Sequence, residues 1–297
     1  MSSNLIVTPD MIQQRLDTFL VRQFPTYSRT YFQSLIAQGF VLINGLPIKK
    51  KDRPKLGDEI EVCFQLTPEI SLEPENIALD ILYEDDHLIV INKPAGMVTH
   101  PAPGHYTGTF VHALLYHCKS LPGADSLRPG IVHRLDKETS GVLIAAKTIE
   151  AHQKLVEMFC ERRIEKFYLA ISVGSPGDKD IALPIKRHPT KRKEMAVDPL
   201  GKPAISKCRT IACDGTLSLV EVQLITGRTH QIRVHLKHLG TPVLGDLVYG
   251  NKKHAAARMM LHAYRLKFFH PITGVPLDLR APLPDEFKKY RFTILDK

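Results

Sequence analysis

The chain has 297 residues and a mass of 33.4 kDa, and 43% of its side chains are hydrophobic, which allows one large folded unit or two unequal ones and excludes a disordered chain. It carries 40 Lys and Arg against 31 Asp and Glu, a net charge of +9, which favours a polyanionic partner over an acidic one. The longest apolar runs are too short to cross a bilayer, the first residues have neither a basic head nor a long apolar stretch, and the five Cys make no C-x-x-C pair; a soluble, cytoplasmic protein with reduced thiols, no membrane and no leader is expected.

The charge is uneven. Residues 1–70 carry eight bases and seven acids, residues 71–86 carry six acids and no base, and residues 87–297 carry 32 bases, 18 acids and all 14 His. The cationic field therefore belongs to the C-terminal part. There it attracts phosphate backbones, or else serves only as a solvated surface that aids solubility.

Residues 11–66 form a compact module. Leu16, Phe19 and Leu20 give one helical apolar face. Ser28 is placed to cap a second helix carrying Tyr31, Phe32, Leu35 and Ile36, which Gly39 ends. Val41-Leu42-Ile43, Asn44-Gly45 and Leu46-Pro47-Ile48 follow as a tight hairpin, because Asn-Gly tolerates the positive φ of a type I′ turn. A Lys-rich stretch and a return strand over 59–64 complete the module. Two helices, the "VLINGLPIKK" hairpin and the "LGDEIEV" strand together resemble an S4 RNA-binding domain. That resemblance implies that Arg29, Lys49, Lys50 and Lys51 meet structured RNA; as a bare charge run they are a solvated loop. Residues 71–86, acidic and punctuated by Pro74, are expected to be a linker.

The remainder, 87–297, is expected to be one α+β domain around a mixed, largely antiparallel sheet. A short buried strand over 87–91 runs into Asn92-Lys93-Pro94-Ala95-Gly96. Thr109 is placed to cap a helix reaching Leu115, Gly141–Ala146 reads as an apolar strand, and Ala151, Leu155, Met158 and Phe159 mark an amphipathic helix. Phe167, Leu169, Ile171 and Val173 alternate as a half-buried strand face, with Tyr168 and Lys166 opposite. Residues 217–225 read as another strand, and Ile232, Leu236 and Leu239 mark a short helix ended by Gly240. No heptad pattern is present, so a monomer is expected.

Three stretches bear on chemistry. In His133-Arg134-Leu135-Asp136, followed by Lys137-Glu138-Thr139-Ser140-Gly141, one carboxylate sits between basic residues ahead of a small-residue turn. Asp136 either does chemistry as a nucleophile or base, or merely caps that turn. A kinase catalytic loop is excluded, because the place of its metal-holding Asn is taken by Gly141 and no glycine-rich nucleotide loop is present. Thr226-Gly227-Arg228-Thr229-His230-Gln231-Ile232-Arg233 reads either as an anion cradle with free backbone N–H groups at a helix N-terminus or as a well-capped surface helix. Cys208 and Cys213 are small strand-end residues more readily than metal ligands.

"INKPAGMVTHP", "HRLDKETSGVLIAAK", "KFYLA" and "TGRTHQIRVHLKHLGTPVLGDLVYG", in that order, resemble the motifs of the RluA-type RNA pseudouridine synthases, and "RHPTKRKEMAVDPLGKPA" resembles the RluD branch, which modifies large-subunit rRNA. The resemblance covers most of the chain. It implies isomerisation of uridine without cofactor or metal: the N1 glycosidic bond breaks, the uracil turns, and C5 bonds to the sugar. It implies that Asp136 is the essential carboxylate, acting by sugar attack or by sugar-proton removal. Arg233 would pair with Asp136 and hold it ionised. Tyr168 would pack on the target base, and Ile232 would wall the base pocket. Arg134 would fill the place vacated by the everted base, with His133 and Arg228 also on the RNA side. Without the family, Tyr168 reads as a core ring. A non-catalytic rRNA-binding or ribosome-assembly protein and an N-glycosylase that releases free base are the competing functions.

Overall fold

The computed structural model describes residues 2–9, 15–25, 27, 29–48, 53–64, 72–102, 104–123, 128–251, 253–290 and 292–294. The chain divides into two compact units, Met1–Ser71 and Leu72–Lys297.

The smaller unit runs β1 (Ser2–Ile6), α1 (Leu16–Gln23), α2 (Arg29–Ala37), β2 (Val41–Ile43), β3 (Leu46–Pro47) and β4 (Glu59–Cys63). Its antiparallel sheet has the order β1-β4-β2-β3. Leu16, Phe19, Leu20, Phe32, Leu35 and Ile36 bury the facing sides of the helices against Val41, Ile60 and Val62. At the hairpin tip Asn44 and Gly45 have φ of 51° and 77°, the pair of positive values a type I′ turn needs. Gly39 closes α2, where the Phe40 N–H reaches back to the Leu35 carbonyl at 2.9 Å. Strand β1 was not evident from sequence; it is five residues long and lies upstream of the helical periodicity. Ser28, the expected cap, and Lys49, Lys50 and Lys51 lie outside the described residues.

The larger unit contains β5 (Ile81–Glu84), β6 (Leu88–Lys93), α3 (Phe110–His117), β7 (Ser140–Ala146), α4 (Ile149–Cys160), β8 (Glu165–Val173), β9 (Lys179–Ala182), β10 (Ile185–Arg187), β11 (Met195–Val197), β12 (Ile205–Cys213), β13 (Leu217–Leu224), α5 (Gln231–His238), β14 (Leu261–Phe269), β15 (Pro276–Arg280), α6 (Asp285–Lys288) and β16 (Thr293–Ile294). Ten strands form one sheet whose main path is β16-β12-β13-β8-β14-β7-β6-β5, with β9 beside β12 and β15 beside β14. Every pairing in it is antiparallel except β14 with β7. The fold is thus α+β with a mixed, mostly antiparallel sheet.

The central strands are covered on both faces. Ile89, Ile91, Leu143 and Ala145 point to the side of α3 and α5 with Phe110, Leu114, Ile232 and Leu236. Leu88, Val90, Val142 and Ile144 point to α4, where Leu155 and Met158 meet them. Two-sided burial explains why β6 and β7 are continuous apolar runs and not alternating ones. Gly141 is required where β7 crosses β14: its φ is 110°, and a Cβ there would lie 2.1 Å from the Ala263 carbonyl oxygen.

Two expectations are corrected. The segment 71–86 is not wholly a linker: Ile81–Glu84 is edge strand β5, paired with β6, and Glu75 accepts the Gly108 N–H at 3.0 Å. Its acids are those of a solvated sheet edge and its turn, which composition alone cannot separate from a tether. In β8 the more deeply buried face is that of Lys166, Tyr168 and Ala170; Phe167 and Leu169 are half-buried. Alternation revealed the strand but not which of its faces the helices cover.

Candidate active site

Asp136 lies in a loop whose backbone is pinned on both sides. The Leu135 carbonyl accepts the Thr99 hydroxyl at 3.2 Å. The Asp136 carbonyl accepts the Thr139 N–H at 3.1 Å, and that of Lys137 accepts the Gly96 N–H at 2.8 Å. The fully buried Lys93 sends its Nζ to the carbonyls of Pro94, Met97 and Lys137 at 2.8, 2.9 and 3.2 Å. Burial pushes its ammonium down to about 7, with Glu138 and Asp136 pulling the other way and Arg258 adding to the depression. The loop is therefore fixed through its carbonyls, which leaves the Asp136 carboxylate free to point into the cleft, 20% exposed.

The opposing wall is α5 and the turn before it. Gln231, 2% exposed, donates to the Ile205 carbonyl and Ser206 hydroxyl, both at 2.9 Å, while its Oε1 accepts the Thr226 hydroxyl at 2.8 Å and the Arg228 N–H at 3.0 Å. The Arg228 N–H is therefore not free, which corrects the expected cradle at that position; the Arg228 guanidinium donates to the Pro203 carbonyl at 3.0 Å. Two residues after Gln231, Arg233 reaches across. Its Nη1 donates to Asp136 Oδ2 at 3.2 Å, while Nε and Nη2 bind Asp246 side-on at 2.7 and 2.9 Å.

Asp246 has a side chain with no exposure and also accepts the N–H groups of Val248 and Tyr249 at 2.9 and 3.0 Å. Burial works to raise its pKa, but the Arg233 bonds and charge outweigh that and hold it below the usual carboxylate range. Arg233 lies 4.9 Å from the Tyr249 ring centroid. A guanidinium saturated on one edge by a buried carboxylate cannot swing away, so its remaining nitrogen offers Asp136 a fixed positive charge.

Asp136, Arg233, Tyr168, Arg134, His133, Arg228 and Ile232 all line one cleft of about 540 Å³, within the range of small-molecule sites. Arg134 is exposed at the cleft, whereas Tyr168 is 7% exposed. Burial, then the Asp136 charge, keep the Tyr168 phenol protonated. Ile232 is 4% exposed. His133 also anchors the loop: its Nε2 accepts the Ile144 N–H at 3.1 Å, its ring stacks on Phe159 at 4.7 Å, and burial drives its pKa down to about 3. Arg29, in the smaller unit, places its Nε on Asp17 at 3.0 Å while its side chain stays 50% exposed.

Asp246, Tyr249 and His230 belong to the site and were not singled out by sequence reasoning. The pattern Gly-Asp-x-x-Tyr-Gly was visible, but nothing in it says that Asp246 folds back onto a guanidinium thirteen residues upstream. Among the described residues no group of three or more His, Cys, Asp and Glu is arranged to hold a metal, and none of the five Cys is paired. None of the helices formed by those residues is long and apolar enough to cross a membrane.

A pinned loop presenting one carboxylate to a buried guanidinium, beside an aromatic wall in a cationic unit, defines a site for a nucleoside of a polyanion. Residues 87–238 match the RNA pseudouridylate synthase family and residues 14–60 the S4 domain. The "Ribosomal large subunit pseudouridine synthase D" of Neisseria meningitidis is 42% identical over 297 residues, covering 95% of this chain and 79% of that protein. An "Uncharacterized RNA pseudouridine synthase" of Aquifex aeolicus is 42% identical over 292 residues, covering 93% and 92%. Among solved structures, human RNA pseudouridylate synthase domain containing 1 superposes with a TM-score of 0.61 at 28% identity, over 76% of this chain and 92% of that one. The chain belongs to the RNA pseudouridylate synthase family and carries an S4 domain. It is an RNA-modifying isomerase.

Proposed function

We propose that this protein converts specific uridines of large-subunit rRNA into pseudouridine, with Asp136 as its essential carboxylate. The observation that carries the assignment is the Arg233–Asp136 contact inside a cleft that also holds Tyr168 and Arg134. The rRNA target rests on relatives named for the large subunit, at about 40% identity over nearly the whole chain.

The target nucleotide leaves its stack, which costs a few kcal/mol. Arg134, exposed at the cleft, takes the vacated place. Tyr168 packs on the uracil and, as a neutral phenol, adds no charge to it. Arg233 holds a positive charge against Asp136, and Asp136 acts at the ribose by attack or by proton removal. The N1 bond breaks, the ring turns, C5 bonds to C1′, and the proton lost from C5 is balanced by one gained at N1. Nothing is oxidised and nothing leaves. Residues 1–70 supply a second grip on structured RNA through Arg29 and Lys49–Lys51, while 87–297 hold the chemistry. The protein works as a monomer in the cytoplasm.

The test incubates the protein with large-subunit rRNA fragments, maps pseudouridine and assays released base. Pseudouridine at discrete positions with no free uracil is expected. Free uracil means a glycosylase, and binding without either product means a non-catalytic rRNA-binding protein.

A further inference from the structure

His230 stands at the start of α5 in the left-handed region, with φ 56° and ψ 21°, a conformation unfavourable for non-glycine residues but one that His adopts more readily than most. The backbone here directs the imidazole between two groups. On one side, His230 Nδ1 lies 2.8 Å from the Tyr249 hydroxyl. Tyr249 is buried, and its oxygen already accepts the Met195 N–H at 2.7 Å. The Tyr249 hydroxyl can give its hydrogen to Nδ1, the arrangement that places the ring proton on Nε2. On the other side, Nε2 lies 3.9 Å from Asp136 Oδ2, the same oxygen that receives Arg233. Among the described residues Asp136 Oδ1 has no donor.

We propose that His230 is a positioning residue for Asp136: its Nε2–H closes on Oδ2 beside Arg233 when RNA fills the cleft, leaving Oδ1 as the oxygen that meets the ribose. The proposal rests on the assignment of Asp136 above. A separation of 3.9 Å is of the kind that tightens in a substrate complex. The charged groups that face His230 are Asp136, Arg233, Asp246 and Arg134. Burial lowers the imidazole pKa, the two carboxylates oppose that and the two guanidinium groups add to it; the net shift is downward. Two donors on one oxygen fix the rotation of the carboxylate as a single donor cannot, which is the use made of orienting partners in other pre-organised sites.

The test compares turnover of an RNA stem-loop by the full-length parent, His230→Asn, His230→Gln and Asp136→Ala. Asn accepts the left-handed backbone but stops short of the Nε2 position, whereas the Gln amide reaches it. We expect His230→Asn to lower kcat by about 10–100-fold with KM nearly unchanged, and His230→Gln to recover most of that loss. Nitrogen NMR of the His-labelled parent should show His230 protonated at Nε2, and Tyr249→Phe should mix the two tautomers. Parental kcat in His230→Asn, equal loss in the Asn and Gln variants, or an Nδ1-protonated ring in the parent would overturn the proposal. Asp136→Ala separates the two claims: an active Asp136→Ala removes the carboxylate assignment itself, while an inactive one beside a fully active His230→Asn removes only His230.

Discussion

Each unit of this protein contains an aspartate met by arginine, and the two are arranged to opposite ends. Asp17, 3% exposed, accepts Arg15 Nε at 3.1 Å, Arg29 Nε at 3.0 Å and Gln33 Nε2 at 2.6 Å. Burial is the largest influence on it and works to raise its pKa, yet these bonds together carry it down to about 2. Among the described residues Asp136 has one direct donor, Arg233 Nη1, and it keeps a fifth of its side chain open to a cleft. A buried carboxylate with four donors ties α1 to α2. One with a single fixed donor is held in place and still has an oxygen to use. The active site contains both kinds, since Asp246 is the saturated partner that lets Arg233 present its last nitrogen to Asp136.

Arg233→Ala is the sharpest way to break this contrast short of touching Asp136. It strips a buried Asp246 of its partner, costing about 3–5 kcal/mol of stability, and removes the charge facing Asp136. A drop in turnover far beyond the drop in folded fraction is expected, read from urea unfolding and single-turnover kinetics on one preparation; unaltered turnover would take Arg233 out of the site. Asp246→Ala should follow it closely in stability while losing less activity, because Arg233 survives but is no longer held. Asp17→Ala should cost the smaller unit about 1–3 kcal/mol, the two guanidinium groups being half exposed and able to turn to water. Its turnover of a short stem-loop should match the parent, and a loss there would mean that the two aspartates are not independent.

Stability should also depend on pH. His133 and His262 are held near 3 and 4, chiefly by burial, against an ordinary 6.5. The unfolded chain takes up these protons near pH 6.5 and the folded chain does not. Each group therefore contributes its full share above pH 6.5 and loses about 1.4 kcal/mol per pH unit as the pH falls towards 4. The urea midpoint should drop between pH 7 and pH 5, and a flat midpoint would mean that these rings are charged in the fold.

Much of this was legible in the chain. The hairpin at Asn44-Gly45, the helix faces of α1, α2 and α4, and the apolar run of β7 follow from local rules of turn chemistry and periodicity. The clustering of Asp136 with Tyr168, Ile232 and Arg233 came only from the resemblance of the ordered motifs to a known family. What local rules cannot supply is long-range pairing. Strand β5 hides in acidic composition because an edge strand turns its charges to water. The anchoring of His133 depends on an Ile144 N–H eleven residues away, and the grip of Asp246 on Arg233 depends on a loop closing back over α5. The face of β8 that is buried is decided by which side the helices occupy, a tertiary fact that alternation alone does not contain.

The most direct measurement brings parent and Asp136→Ala to saturation with the same large-subunit rRNA fragment and counts the pseudouridine formed in one turnover. Equal binding with no pseudouridine in the variant is the predicted result, since one open carboxylate within a broad basic footprint does the chemistry and little of the holding. Pseudouridine formed by Asp136→Ala at the parental rate would contradict the account.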